Sequence, residues 1–110
     1  MSRDQQAILD IIDSIELIQN YTRSNNWSQA RTIEYDAVIR RLTIIGEATK
    51  RLSMEFRTNH PEIPWKAMAG LRDFVVHEYD FINLEIIQDV VNFELPQLLP
   101  LLKSLLDGEF

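Results

Sequence analysis

An arginine, a histidine and a tyrosine lie close together in the second half of this 110-residue sequence, at Arg72, His77 and Tyr79. Histidine has an ordinary pKa near neutrality and can act as a general acid or base. Arginine stays charged and presents a planar fork of donors to phosphate oxygens. Such a pair can let a ribose 2′-hydroxyl attack the adjacent phosphate without a metal ion. The same spacing also fits an ion pair of Arg72 with Asp73 or Glu78 beside a capping histidine.

Several other chemistries are excluded by residue type. The chain has no cysteine, so disulfides, thiolate metal sites and a cysteine nucleophile are ruled out. A zinc protease helix would need a second histidine at position 81, which is occupied by Phe81. A di-iron bundle would need a glutamate at position 74, which is occupied by Phe74. No glycine-rich phosphate loop is present. We therefore expect no metal ion and no cofactor, and we expect His60, which precedes Pro61, to be a surface residue.

Helical periodicity dominates the elements that must position these residues. Isoleucines at three- and four-residue steps predict a first helix over residues 4–22. After a break at Asn25-Asn26, Ser28 is expected to cap a long second helix. The apolar stripe of this second helix consists of Val38, Leu42, Ile45, Leu52 and Phe56, widened by Ile33, Ile44 and Ala48.

The second half of the chain predicts two more helices. A third helix begins at Pro64 and ends near Tyr79-Asp80, and its Trp65 and Met68 are expected in the core rather than against a base. Asn83 caps a fourth helix, which Pro96 and Pro100 should kink. The residues of this fourth helix expected to face inward are Ile86, Ile87, Val90, Val91 and Phe93.

These elements predict an all-α fold, an antiparallel four-helix up-down bundle with or without a short extra C-terminal helix. Residues 1–110 are expected to form a single domain, and the broad apolar stripes suggest a homodimer. Gly46 and Gly70 lie inside helical pattern, where each costs about 1 kcal/mol against alanine. Close approach of another backbone would explain these glycines. A bundle that simply tolerates the destabilisation would explain them equally well.

Helix geometry limits how the candidate site can form. Arg72 and His77 are five residues apart and would point about 140° apart on a straight helix. They can converge only if the helix ends or bends near Val76, or if two chains meet across a two-fold axis. Arg72 and Tyr79 are seven residues apart and share a face.

Charge is distributed unevenly along the chain. The formal net charge of -6 argues against nucleic-acid binding by bulk electrostatics. Residues 31–72 nevertheless carry 8 basic and 5 acidic side chains, so they could form a modest positive face or an ordinary solvated surface. The acidic region at residues 73–110 could serve a basic protein partner. No apolar run approaches the ~20 residues of a membrane span, and the N-terminus does not resemble a signal peptide, so we expect a cytoplasmic protein.

The spacing of Arg72, His77 and Tyr79 resembles the signature of the HEPN superfamily, and specifically of its HepT-like toxin branch. Residues 36–42, 44–48 and 63–72 resemble this family in order and spacing, so the similarity extends from the first helix to the Pro96 region. One departure is Asp73, where many relatives have asparagine.

The resemblance implies a dimer that brings both Arg72–His77 pairs into one cleft and cleaves RNA without a metal ion. Arg72 would bind and polarise the phosphate, His77 would act as acid and base, and Asp73 would orient Arg72 or the RNA. The implied partner is a minimal nucleotidyltransferase antitoxin, in a toxin–antitoxin pair of type II or VII, that transfers AMP from ATP to Tyr79. The alternative is a non-catalytic dimeric subunit that docks a nucleotidyltransferase and assists nucleotide or target binding, which the acidic net charge favours.

Overall fold

Every regular element in the described part of the chain is helical. The computed structural model describes residues 1–24, 26–29, 32–77 and 83–110, with side chains for all of these except 75–77. The elements are α1 (Arg3–Tyr21), α2 (Ile33–Arg51), α3 (Met54–Asn59), α4 (Trp65–His77), α5 (Leu84–Asp89), a π-helical turn (Val90–Glu94) and α6 (Leu95–Glu109). The predicted all-α fold class is confirmed.

Four long helical segments make up the bundle. Three of them are α1, α2 and α4, and the fourth runs from α5 through the π-helical turn into α6. Helix α2 packs against both α1 and α4, and α1 also packs against α6. This arrangement confirms the predicted four-helix bundle and makes α2 the element that joins α4 to the rest of the core.

The isoleucine stripe of α1 forms the centre of the core. Side chains on the inward face of α1 are almost completely buried, as the three- and four-residue spacing predicts. Trp65 and Met68 of α4 are also buried, which confirms their predicted core positions. The fully buried large side chains include Ile8, Ile11, Ile15, Ile18, Leu42, Ile45, Ile87, Leu95 and Leu102.

The prediction of a single second helix that is capped at Ser28 and continues to Phe56 is wrong at both ends. Thr32 is the cap, since its side chain accepts a hydrogen bond from the backbone N–H of Tyr35 at 3.0 Å. Helix α2 ends at Arg51, and Ser53 caps the short helix α3.

A contact with α1 holds the break between α2 and α3. The Asp4 carboxylate accepts hydrogen bonds from the backbone N–H of Ser53 at 2.8 Å and from its hydroxyl at 2.7 Å. Ser53 in turn accepts a bond from the backbone N–H of Phe56 at 3.1 Å. Because residue 4 and residue 53 meet only in the folded chain, helical periodicity alone could not locate this break.

The fourth helical segment follows the prediction at its start and departs from it further on. Asn83 caps α5 as expected, and Ile87, Val90 and Val91 are buried. Ile86 and Phe93, predicted to face inward, are exposed, as is Ile33 at the start of α2. A π-helical turn, Val90–Glu94, precedes α6, whereas Pro96 and Pro100 both lie within α6, so the kink expected at the prolines stays a prediction. A π-turn has more residues per turn than an α-helix, so a 3.6-residue period misplaces side chains such as Phe93.

Candidate functional site

Arg72 lies where the backbones of α2 and α4 come closest. Gly46 of α2 is buried directly against it. A Cβ atom added to Gly46 would lie 2.5 Å from Cβ and 2.9 Å from Cα of Arg72, and closer still to its backbone nitrogen. No side chain fits at this distance, so glycine is required for the observed packing. Gly70, by contrast, has open space where a Cβ would stand.

The Arg72 side chain belongs to a chain of three charged groups that bridges α2 and α4. Nζ of Lys50 lies 2.8 Å from Oδ1 of Asp73, and the same oxygen lies 3.4 Å from Nη1 of Arg72. The three side chains are between 38% and 48% exposed. Gly46 therefore fixes the backbone and Cβ of Arg72, while the guanidinium at the other end of the side chain remains partly open to solvent.

The charges around Asp73 lower its pKa. The largest cause is the hydrogen bond from Lys50, with smaller contributions from the charge of Lys50 and from the hydrogen bond and charge of Arg72. Desolvation opposes these effects without cancelling them. Lys50 therefore contributes most to favouring the charged form of Asp73.

Helix α4 is anchored at its N-terminal end by Trp65. The indole N–H of this buried residue donates to the backbone carbonyl of His60 at 2.9 Å. The His60 side chain is only 14% exposed and its ring lies 4.7 Å from that of Phe56, so the prediction of a surface histidine is wrong. The His60 ring packs on Phe56 at the edge of the core, and its backbone carbonyl pairs with the buried indole.

The structure describes the two other predicted site residues only in part. Helix α4 includes His77, so the backbone stays helical across the five residues from Arg72. Positions 72 and 77 are therefore about 140° apart around one helix axis. The His77 side chain is outside the described residues, as is all of Tyr79. The described helix extends to His77, so an end of the helix before this residue does not bring the arginine and the histidine together.

An apolar groove runs between α4 and the C-terminal helical segment. We term it the α4–α6 groove, and its volume is about 370 Å³. Leucines, methionine and valine form its floor, and the carboxylates of Glu62 and Glu94 lie among its lining. The lining residues are Glu62, Pro64, Ala67, Met68, Leu71, Val90, Glu94, Leu95, Gln97, Leu98 and Leu101.

Within residues 1–24, 26–29, 32–77 and 83–110, no group of three or more histidine, aspartate or glutamate side chains is arranged to hold a metal ion. No helix in the same part of the chain is both long and apolar enough to cross a membrane.

The fold and the charged site define a helical-bundle protein with a partly exposed arginine where α2 and α4 meet. Residues 8–105 match the profile described as "Ribonuclease HepT-like". The chain belongs to the HepT-like ribonuclease family.

Three relatives illustrate how far the similarity extends. A protein of Thermococcus cleftensis, described as a probable ribonuclease HepT, is 38% identical over 89% of this chain and 92% of its own length. A Methanocaldococcus jannaschii protein, described as a gamma-glutamylcyclotransferase and candidate RNase, is 42% identical over 89% of this chain. A candidate RNase of Caldanaerobacter subterraneus subsp. tengcongensis is 45% identical over 66% of this chain. The matched regions span 46% and 65% of these last two relatives. No solved structure matches the chain.

Sequence reasoning missed Lys50 as a member of the site. It counted this residue only as one of the basic side chains of the middle segment. The available signal was its spacing from Gly46: the two are four residues apart and therefore share a face of α2. Once Gly46 is known to contact Arg72, Lys50 must lie near α4 one turn further on.

Proposed function

We propose that this chain is the toxin of a toxin–antitoxin pair, a metal-independent endoribonuclease that acts in the cytoplasm. The whole chain, residues 1–110, forms one domain, and two copies form the active homodimer. The observation that carries the proposal is the family match over residues 8–105, which includes Arg72, Asp73, His77 and Tyr79. It is supported by an Arg72 side chain that is anchored at its backbone and open at its charged end.

The proposed reaction is cleavage by the neighbouring ribose hydroxyl. The 2′-oxygen forms a bond to phosphorus as the bond from phosphorus to the 5′-oxygen breaks. His77 accepts the proton of the 2′-hydroxyl and returns a proton to the departing 5′-oxygen. Arg72 binds the phosphate oxygens and stabilises the charge that grows on them. The products are a 2′,3′-cyclic phosphate and a 5′-hydroxyl, and no metal ion is consumed or required.

The proposed site is composite, built where two chains meet. Because positions 72 and 77 are about 140° apart around one helix, the proposal pairs Arg72 of one copy with His77 of the other at a single phosphate, in the cleft that holds both pairs. The α4–α6 groove supports this arrangement, because its apolar lining on α4, which includes Leu71, is surface that a second copy can cover.

Regulation by AMP transfer completes the proposal. A minimal nucleotidyltransferase antitoxin would let the Tyr79 hydroxyl attack the α-phosphate of ATP, releasing pyrophosphate and leaving a phosphodiester on the tyrosine. Tyr79 is seven residues from Arg72, two turns along if the helix continued, so the added anion would compete with RNA for the same arginine.

The test is RNA cleavage in EDTA by protein whose intact mass shows no added AMP. We expect wild-type protein to leave 2′,3′-cyclic phosphate ends, and His77→Ala to lose about 10²–10⁴-fold in rate. Arg72→Ala should lose roughly 10²–10³-fold, as does removal of a donor to a transition-state oxyanion. Equal cleavage by wild type and both variants would refute the proposed site.

A second function, docking of a nucleotidyltransferase without catalysis, is favoured by the net charge of -6. Expression of the chain without its partner separates the two. The ribonuclease proposal predicts growth arrest that His77→Ala relieves, and the docking alternative predicts no effect on growth from either protein.

A further inference from the structure

Helix α2 contacts two successive residues of α4. Gly46 lies against the backbone of Arg72, and Lys50, one turn further along α2, pairs with Asp73. The first contact accounts for where Arg72 stands. The second has no such role in packing, because Lys50 and Asp73 are both about half exposed.

Asp73 presents a difficulty for an arginine that must bind phosphate. Its carboxylate is the immediate neighbour of Arg72 and lies 3.4 Å from the guanidinium. A carboxylate competes with phosphate for the same donors, and its negative charge repels an incoming RNA backbone. Without a second cation, Asp73 would hold Arg72 and oppose RNA at the same time.

Lys50 offers Asp73 a closer partner. Its ammonium lies 2.8 Å from Oδ1, whereas Arg72 reaches the same oxygen only at 3.4 Å, near the limit of a useful hydrogen bond. Lys50 is also the largest cause of the lowered pKa of Asp73. In this geometry Lys50 neutralises the Asp73 carboxylate, and the Arg72 guanidinium remains available to bind phosphate.

We propose that Lys50 is a positioning residue of the ribonuclease site, which occupies the Asp73 carboxylate and so frees Arg72 to bind the RNA phosphate. This inference rests on the proposed function. Lys50 acts through Asp73 and does not itself contact the RNA.

Arg51 provides a matched control on the neighbouring residue. It lies in the same last turn of α2, is 47% exposed, and pairs with the Asp10 carboxylate of α1 at 2.6 Å. Lys50→Gln and Arg51→Gln each remove one positive charge and one interhelical ion pair. Only the first touches a neighbour of Arg72. Because exposed ion pairs contribute little to stability, both variants should fold, as circular dichroism would verify.

The experiment compares steady-state RNA cleavage by these variants of the full chain. Lys50→Gln should lower kcat/KM roughly tenfold, mainly through a higher KM, since the lost interaction is binding of the phosphate by a freed arginine. Arg51→Gln should change it less than about twofold. Lys50→Arg should restore most of the activity, because it keeps a cation beside Asp73.

A double-mutant cycle with Asp73→Asn identifies the mechanism. In the Asp73→Asn background, adding Lys50→Gln should cost less than about twofold, since the neutral amide no longer needs a cation. A full tenfold loss in the Asn background would mean that Lys50 acts on RNA directly, and it would overturn the inference. Equal losses in Lys50→Gln and Arg51→Gln would overturn it as well.

The two levels of the proposal fail in different ways. If wild-type protein does not cleave RNA, or cleaves it equally well with Arg72→Ala, the proposed function is wrong and the role of Lys50 falls with it. If cleavage depends on Arg72 but not on Lys50, only the further inference is wrong.

Discussion

The two sides of helix α2 are built differently. Toward α1, the contact belongs to a core of large branched side chains that are almost fully buried, such as Ile15 and Ile45. Toward α4, the backbone of Gly46 meets the backbone of Arg72. Each side is also bridged by a cation from the last turn of α2, Arg51 to Asp10 on α1 and Lys50 to Asp73 on α4.

This difference means that one side of α2 stabilises the fold and the other side positions the site. Interdigitated isoleucines contribute most of the burial energy, and their surroundings can partly relax when one side chain is shortened. A contact between backbones has no flexible side chain that can move aside. The α1 side of α2 should therefore control stability, and the α4 side should control the position of Arg72.

The largest effect is expected on the α1 side, from Ile15→Ala. Removing this fully buried side chain should lower the free energy of unfolding by about 2–5 kcal/mol, measured by chemical denaturation. Under conditions where the variant remains folded, its kcat/KM for RNA should match wild type. Loss of activity in fully folded protein would show that the two sides of α2 are not separable.

A smaller loss of stability is expected on the α4 side, from Gly46→Ala. The added methyl group would meet the backbone of Arg72, which should cost about 1–3 kcal/mol in unfolding free energy and also lower kcat/KM in the folded protein.

The matched control for Gly46 is Gly70→Ala on α4, where nothing occupies the space a Cβ would fill. This variant should be more stable by up to about 1 kcal/mol, because alanine favours the helix, and it should leave activity unchanged. Similar behaviour of the two variants would contradict the role assigned to the Gly46 contact.

The smallest effect concerns the titration of Asp73. Its folded pKa lies below the value of about 3.9 expected in the unfolded chain, because Lys50 and Arg72 favour the carboxylate. The ion pair therefore stabilises the fold at pH values above about 4, and this contribution is lost as the pH falls through the lower, folded pKa. Carbon-13 NMR of the Asp73 carboxyl should show a depressed midpoint in wild type that rises in Lys50→Gln. An unchanged midpoint would show that Lys50 does not hold this carboxylate in solution.

Much of the fold could be predicted because it depends on local pattern. The isoleucine spacing of α1 and the Asn83 cap of α5 involve residues within a few positions of one another, and both predictions are confirmed. Predictions failed where distant residues or irregular geometry decide the outcome. Asp4 of α1 binds Ser53 at the break between α2 and α3, and Phe93 in the π-helical turn is exposed.

For the site, the sequence by itself determined the identity of the chemical groups and the family. Arg72, His77 and Tyr79 keep their spacing along the chain whatever the fold, and the roles of His77 and Tyr79 stay predictions. Only the tertiary structure decided that Gly46 must be a glycine and that Lys50 pairs with Asp73. The physical reason is that the packing of α2 against α4 brings residues more than twenty positions apart within a few ångströms, a distance that no helical period encodes.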